Sequence, residues 1–282
     1  MHYAAPPEAW TEWGGNGPAV VFGHANGFPP ETYRVLLEEL SRSFSVASFA
    51  ARPLWPGSDP QSVNSWRDLA GDLGGALERR GVEGVLGVGH RLGSVLGLMA
   101  ATADRSRFRA LALVDPVIFT GAHSLFWGGL KGLGFGSRLP LIRGARRRRE
   151  TFPGLEQVRA SYAGKSVFAT WDPEVLDDYI RAGFFETDEG AVRLRYPKAW
   201  ESKIFELTPA SVWRDLVKIR VPMLFIRGAS SDTFVAAAAD RVRRQLDTAR
   251  VIEVAGASHF VPMERPLEVA RLIADWAGEI GI

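Results

Sequence analysis

The 282-residue sequence contains no cysteine. Disulfide staples, thiolate nucleophiles and Cys-bearing metal sites are therefore excluded, although the absence does not fix a redox compartment. Nor is there any run of the roughly 18 uncharged apolar residues that a membrane span requires, so stable membrane insertion is not expected. The beginning, Met1-His2-Tyr3-Ala4-Ala5-Pro6-Pro7-Glu8, has neither a basic n-region nor an apolar h-region. No signal peptide is expected from it, and a cytoplasmic location is the default expectation. Excess charge of one sign is also missing, the formal net charge being +2. His2 and His123 stand isolated, no metal-ligand spacing exists, and no cofactor is expected.

What is present is an ordinary globular composition, 46% hydrophobic and 23% charged, in a chain long enough to bury a large core. One dense basic run, Arg146-Arg147-Arg148-Arg149 with Arg143 just before it, could contact phosphate or nucleic acid. No nucleic-acid motif accompanies it, so it reads as a solvated helix face and no nucleic-acid partner is expected. Oligomeric state is not legible.

Three blocks separate by pattern. In the first, residues 1–117, short apolar runs alternate with helical spacing. Pro18-Ala-Val-Val-Phe22 reads as a buried strand, and Ser43–Phe49 alternates as a second. Ser65 to Arg80 carries Trp66, Leu69, Leu73 and Leu77 at helical spacing, with Ser65 as N-cap and Gly81 as the stop. Gly84–Val88 and Ala110–Val114 read as strands around a small-residue helix at Leu92–Ala101. Residues 118–206 differ: aromatic-rich and broken by Pro140, Pro153, Pro173 and Pro197, they read as a helical cap insertion. Its Ser124–Leu141 stretch is the best candidate for a mobile lid. Residues 207–282 return to the core pattern, with strands at Val221–Ile226 and Arg250–Val254 and helices at Ala236–Leu246 and Leu267–Ala277. Such alternation argues for an α/β fold with a mostly parallel central sheet and helices on both faces.

Gly89-His90-Arg91-Leu92-Gly93 lies between a strand and a helix, the arrangement of a nucleophile elbow. The central residue of an elbow occupies a strained turn, and its flanking glycines let strand and helix approach closely. The next backbone N–H, here that of Leu92, faces developing negative charge from a helix N-terminus. Three further motifs follow strands: Gly23-His24-Ala25-Asn26-Gly27-Phe28-Pro29, Gly228-Ala-Ser-Ser-Asp232, and Gly256-Ala-Ser-His259-Phe-Val-Pro-Met.

In these four motifs and their order the chain resembles the α/β-hydrolase superfamily, in its capped, esterase-like form, over nearly its whole length. The resemblance implies an α/β-hydrolase fold, an oxyanion hole from Leu92, Asn26 and Gly27, Asp232 as the acid and His259 as the base. It also implies a small-molecule apolar substrate, with Phe28, His90, Phe126, Trp127 and Trp171 as candidate binding residues. Asp115 is the rival acid, since it too ends a strand. His24 braces the oxyanion loop in this reading, and Ser94, one turn into the helix, is a packing residue.

The departure is Arg91, where the resemblance calls for a nucleophile, usually Ser. A guanidinium is protonated at any physiological pH and cannot form an acyl-enzyme. Three readings stay open. The chain is a carboxylic-ester hydrolase inactivated at position 91. Alternatively it is a repurposed non-covalent enzyme of lyase, decarboxylase or cofactor-free oxygenase type, with His259 as base and Arg91 as anion binder. Or it is a binder of a small apolar acid whose carboxylate pairs with Arg91. All three expect the guanidinium to find an anion, with Asp232 the nearest candidate, because a buried unpaired Arg is costly.

Overall fold

The computed structural model describes residues 4–121, 129 and 139–282. Its centre is a seven-stranded sheet of order β1-β3-β2-β4-β5-β9-β10. The strands are β1 (Trp10–Gly14), β2 (Ala19–Gly23), β3 (Ser45–Phe49), β4 (Val85–His90), β5 (Phe108–Val114), β9 (Met223–Gly228) and β10 (Ala249–Val254). All neighbours pair in parallel except β1, which runs antiparallel to β3 at the edge. The α/β fold expected from the alternating pattern is therefore the fold observed.

A parallel sheet covered on both faces needs strands that are apolar throughout rather than alternating. β5 meets that condition. Leu111 and Leu113 point into one core layer and Ala110, Ala112 and Val114 into the other. The first layer is closed by α2 (Trp66–Arg79) and α3 (Leu92–Ala103), the second by α1 (Arg34–Leu40) and the C-terminal helix Pro266–Glu279. Full burial of a ring such as Phe225, which is 0% exposed, contributes about 1.5–3 kcal/mol. Helix α2 begins where the sequence suggests: the Asp68 carboxylate accepts the Ser65 backbone N–H at 3.0 Å, and Gly81 takes a left-handed φ of 62° just beyond its end.

Between β5 and β9 the described chain forms α4 (Pro140–Arg147), α5 (Leu155–Ala163), α6 (Pro173–Gly183) and α7 (Lys198–Glu206). It also holds a three-stranded antiparallel sheet, β6 (Thr151–Phe152), β7 (Phe184–Glu186) and β8 (Val192–Leu194), in the order β6-β8-β7. This insertion is thus not purely helical, as its proline-broken pattern suggests; strands of two or three residues leave no alternation to read. Its aromatics continue the second core layer, with Phe152, Tyr162, Tyr179 and Phe184 packed ring to ring. In the basic run Arg143, Arg146, Arg147 and Arg149 are exposed, as expected, and Arg148 is the exception. Arg148 is half-buried, donates to Glu201 Oε2 at 2.8 Å and to the Tyr162 hydroxyl at 3.1 Å, and bonds Tyr179 as well. Among the described residues, no helix is long and apolar enough to cross a membrane.

Candidate active site

Strand β4 delivers the chain into a turn whose apex is Arg91, at φ 48° and ψ −104°, directly before α3. A non-glycine residue at positive φ stores strain and persists only where its surroundings fix it. Here the Arg91 N–H donates to Val114 O at 3.0 Å, and the glycines on either side supply the clearance. A Cβ on Gly93 would lie 2.0 Å from Gly23 O, and one on Gly89 would lie 2.4 Å from Ser94 N. The elbow geometry read from the sequence is therefore present in full, with an arginine at its point. Ser94 is buried and donates its hydroxyl to Gly89 O at 2.5 Å, so it ties the helix to the strand and offers no nucleophile.

Two loops from β9 and β10 meet beside the apex. His259 Nδ1 lies 2.7 Å from Asp232 Oδ1. The loops are locked together because the backbone of Gly228 runs against that of Ser258, where a Cβ would lie 2.0 Å from the Ser258 carbonyl oxygen. Ser230 N also donates to Ala257 O at 3.0 Å. The His259 hydrogen bond holds the Asp232 carboxyl below the usual carboxylate range, against a smaller opposing effect of burial. Asp232 remains 74% exposed, so this pair orients the imidazole more than it stabilises the fold. Asp115, the other strand-end acid, is not paired with His259. It is wholly buried at φ 41° and accepts from Ser231 Oγ at 2.7 Å, Thr233 Oγ1 at 2.6 Å and Gly228 N at 3.1 Å. Burial raises its pKa in spite of those bonds.

Arg91 does not behave as expected. Among the described residues it forms no ion pair, and its Nη1 is buried without a hydrogen-bond partner. The reason is that both neighbouring carboxylates already have closer partners, Asp232 in His259 and Asp115 in two hydroxyls. Burial depresses the Arg91 pKa, and the fields of Asp115, Asp232 and Tyr33 only partly offset it. An unsatisfied buried donor costs about 1–3 kcal/mol.

The side chain instead borders two adjoining cavities. One, of about 190 Å³, is walled by Arg91, Leu92, Trp66, Val117, Phe205 and Thr233 among others. The other, of about 280 Å³, is walled by Arg91, Asn26, Phe28, Glu201, His259 and Phe260 among others. Asn26 is held there by both ends of its amide, donating to Glu201 O at 3.0 Å and accepting from the Tyr196 hydroxyl at 2.8 Å. The Leu92 amide is the first of α3, where no intrahelical carbonyl can reach it. Gly27 follows Asn26 in the same loop at φ 86°.

The remaining expected contacts divide. Phe28 lines the larger of these cavities. Trp171 is 5% exposed and enclosed by the rings of Phe28, Phe168, Tyr179 and Phe260, so it backs Phe28 and does not face either cavity. His90 is a correction: it is 0% exposed and both ring nitrogens are engaged, Nδ1 with the Tyr33 hydroxyl at 2.8 Å and Nε2 with the His259 carbonyl at 2.9 Å. No ligand can reach it. His24 braces its loop, with Nδ1 2.8 Å from Ala25 O and Nε2 accepting the Ala51 N–H at 2.9 Å. Phe126, Trp127 and most of the Ser124–Leu141 stretch lie outside the described residues. Sequence reasoning missed Tyr33, Glu201 and Phe205, which come from segments without a motif, and Thr233, which directly follows the Gly228–Asp232 motif. It also missed Glu264, whose carboxylate accepts from Ser258 N at 2.6 Å and Thr170 Oγ1 at 2.5 Å and so fixes the His259 loop. Among the described residues, no group of three or more His, Asp or Glu side chains could hold a metal ion.

A strand-to-helix elbow, an acid–histidine pair on the loops after β9 and β10, and a parallel sheet in this order define an α/β-hydrolase architecture. The model of the alpha/beta hydrolase family matches residues 20–272, and the chain belongs to that family. Among curated relatives, abhydrolase domain-containing protein AFT2-1 of Alternaria alternata is 29% identical over 228 residues, 68% of this chain and 82% of that one. The 2-(acetamidomethylene)succinate hydrolase of Mesorhizobium japonicum is 26% identical over 257 residues, covering 88% and 83%. The crystal structure of E-2-(acetamidomethylene)succinate hydrolase superposes with a TM-score of 0.79 at 21% identity, covering 95% of this chain and 94% of that one. The peroxisomal alpha-beta-hydrolase Lpx1 of Saccharomyces cerevisiae gives a TM-score of 0.77 at 19% identity, covering 95% and 78%. At these identities the structural likeness concerns the fold alone.

Proposed function

We propose that the protein is a carboxylic-ester hydrolase scaffold in which the acyl-enzyme route is closed at Arg91. Its site takes a small, apolar ligand. The carrying observation is that an arginine occupies the elbow apex while His259 and Asp232 remain 2.7 Å apart beside it. In such a frame His259 would take the nucleophile's proton, Asp232 would hold the imidazole in the right tautomer, and the amides of Leu92 and the Asn26–Gly27 loop would meet the developing oxyanion. On this reading the frame lacks only the attacking oxygen. The relative from Mesorhizobium, named as a hydrolase, supports a hydrolytic ancestry of the frame. Restoring the oxygen tests this: Arg91→Ser should hydrolyse a short p-nitrophenyl ester, and the starting protein should not. A folded Arg91→Ser protein inactive across a broad ester panel would overturn the reading.

The second reading is favoured by the unpaired Nη1 of Arg91. A ligand carboxylate placed in either cavity that Arg91 borders would neutralise the guanidinium, through the charge-assisted geometry that arginine prefers. In this reading the protein binds a small apolar carboxylate, or acts on it without a covalent intermediate, with His259 moving a proton. The relative named for a succinate substrate is in keeping with a cation at the site. Octanoate should bind the protein, and Arg91→Ala should weaken that binding about tenfold or more. Equal affinity in the two proteins would exclude the arginine as the anion site. Turnover of the bound acid, absent in His259→Ala, would separate catalysis from simple binding.

A further inference from the structure

A larger cavity, of about 400 Å³, lies in the insertion and shares the walls Phe28, Gly144, Ala145, Glu201 and Phe260 with the cavity that holds Arg91 and His259. Its floor is aromatic, made by Phe152, Tyr162, Phe168 and Tyr179. Its remaining walls carry Arg147, Arg148, Arg149 and Lys165 against a single carboxylate, Glu201. That carboxylate is already committed to Arg148 at 2.8 Å. Among the described residues, Arg147, Arg149 and Lys165 form no ion pair, although the nearby Arg146 and Lys198 do so with Glu206 and Glu150.

Two of the three free cations are nevertheless held in place. The Arg149 guanidinium stacks 4.3 Å over the Phe152 ring while its Nε donates to Thr151 O at 2.8 Å. Lys165 Nζ sits 4.1 Å over the Tyr162 ring. Aromatic faces position a cation without neutralising it, so its N–H groups stay available for an anion. Burial, and next to it the field of Arg148, lowers the Lys165 pKa, which marks a site crowded with positive charge. Two positioned cations, with Arg147 as a third on the same wall, favour a doubly charged phosphoryl group over a single carboxylate. The size of the space excludes a nucleic-acid duplex.

We propose that this cavity is a second subsite, which seats the phosphate group of an elongated apolar ligand whose chain runs past Phe28 toward Arg91 and His259. Only the destination of the chain rests on the function proposed above; the phosphate seat stands on its own residues. The full chain should be titrated calorimetrically with decyl phosphate, and with decanol as the uncharged chain of equal length. Decyl phosphate should bind, and decanol should bind at least about tenfold more weakly. The Arg147→Ala/Arg149→Ala/Lys165→Ala protein, checked for an unchanged melting temperature, should lose about tenfold or more in decyl phosphate affinity. The charge-preserving Arg147→Lys/Arg149→Lys protein should retain most of it. Equal binding of decyl phosphate and decanol, or equal decyl phosphate affinity in the triple variant, would overturn the subsite. Octanoate affinity reports separately on Arg91, so either assignment can fail while the other stands.

Discussion

His90 Nε2 donates to the carbonyl oxygen of His259 at 2.9 Å, so the residue before the elbow apex fixes the loop that carries the candidate base. A carbonyl only accepts, which places the His90 proton on Nε2 and leaves Nδ1 to accept the Tyr33 hydroxyl proton at 2.8 Å. The same hydroxyl accepts the Ala25 N–H at 3.1 Å. One buried chain of hydrogen bonds thus links the loop after β2, the elbow and the histidine loop. Burial lowers the His90 pKa well below its ordinary value, and the field of Arg91 reinforces this, which keeps the ring neutral as the chain requires.

Tyr33→Phe removes the middle of that chain and leaves His90 Nδ1 and Ala25 N buried without partners. It should cost about 1–3 kcal/mol in denaturant unfolding. A shift in the unfolding midpoint within error of zero would show that the chain carries no stability.

His24 links pH to stability. Burial lowers its pKa to about 4, and the ring is held neutral between Ala25 O and Ala51 N. In the unfolded chain the same histidine titrates near 6.5, so on acidification the unfolded state takes up its proton first. Its contribution is fully present above about pH 6.5, is lost as the pH falls toward 4, and amounts to about 3 kcal/mol. Chemical unfolding at a series of pH values should show this loss, reduced in His24→Asn. An identical pH slope in the two proteins would assign the acid sensitivity elsewhere.

Gly93→Ala tests the close approach of α3 to β2. The added Cβ would fall 2.0 Å from Gly23 O, which is backbone and cannot swing aside. The expected cost is about 3 kcal/mol or more, read as a lower melting temperature or loss of soluble protein. Gly71→Ala, where nothing lies within 4 Å of the added Cβ, is the matched control and should be neutral or stabilising.

Glu264→Gln should loosen the His259 loop. The carboxylate accepts from Ser258 N, Ser258 Oγ and Thr170 Oγ1, and an amide can present a donor where only acceptors fit. A loss of about 1–2 kcal/mol is expected. Unchanged stability together with unchanged hydrogen exchange at Ser258 would show that the loop is held by other contacts.

Much of this is legible in the sequence. Leu92–Ala103 and Met223–Gly228 start within two residues of where their patterns place them, because buried strands and glycine-bounded helices leave strong marks. Asp232 and His259 were legible because strand-end loops carry them, and chain order puts those loops at one sheet edge. β1 was not, since Trp10–Gly14 is a half-exposed edge strand flanked by Pro7 and Gly15. Nor was the partner of His90, because nothing in the chain marks Tyr33, 57 residues away, for that role. The isolation of Arg91 was invisible for a related reason. It depends on Asp115 and Asp232 being satisfied by Thr233, Ser231 and His259, and that competition exists only in three dimensions.

The most direct test of the central claim is acylation at the elbow. Arg91→Ser should be mixed with a p-nitrophenyl ester and followed by rapid-mixing absorbance and intact mass. The account predicts a burst of p-nitrophenol and an acyl adduct on the peptide spanning Gly89–Gly93. Both should be missing from the starting protein and from the Arg91→Ser/His259→Ala protein. A folded Arg91→Ser protein with neither burst nor adduct, or a starting protein that acylates equally well, would contradict it.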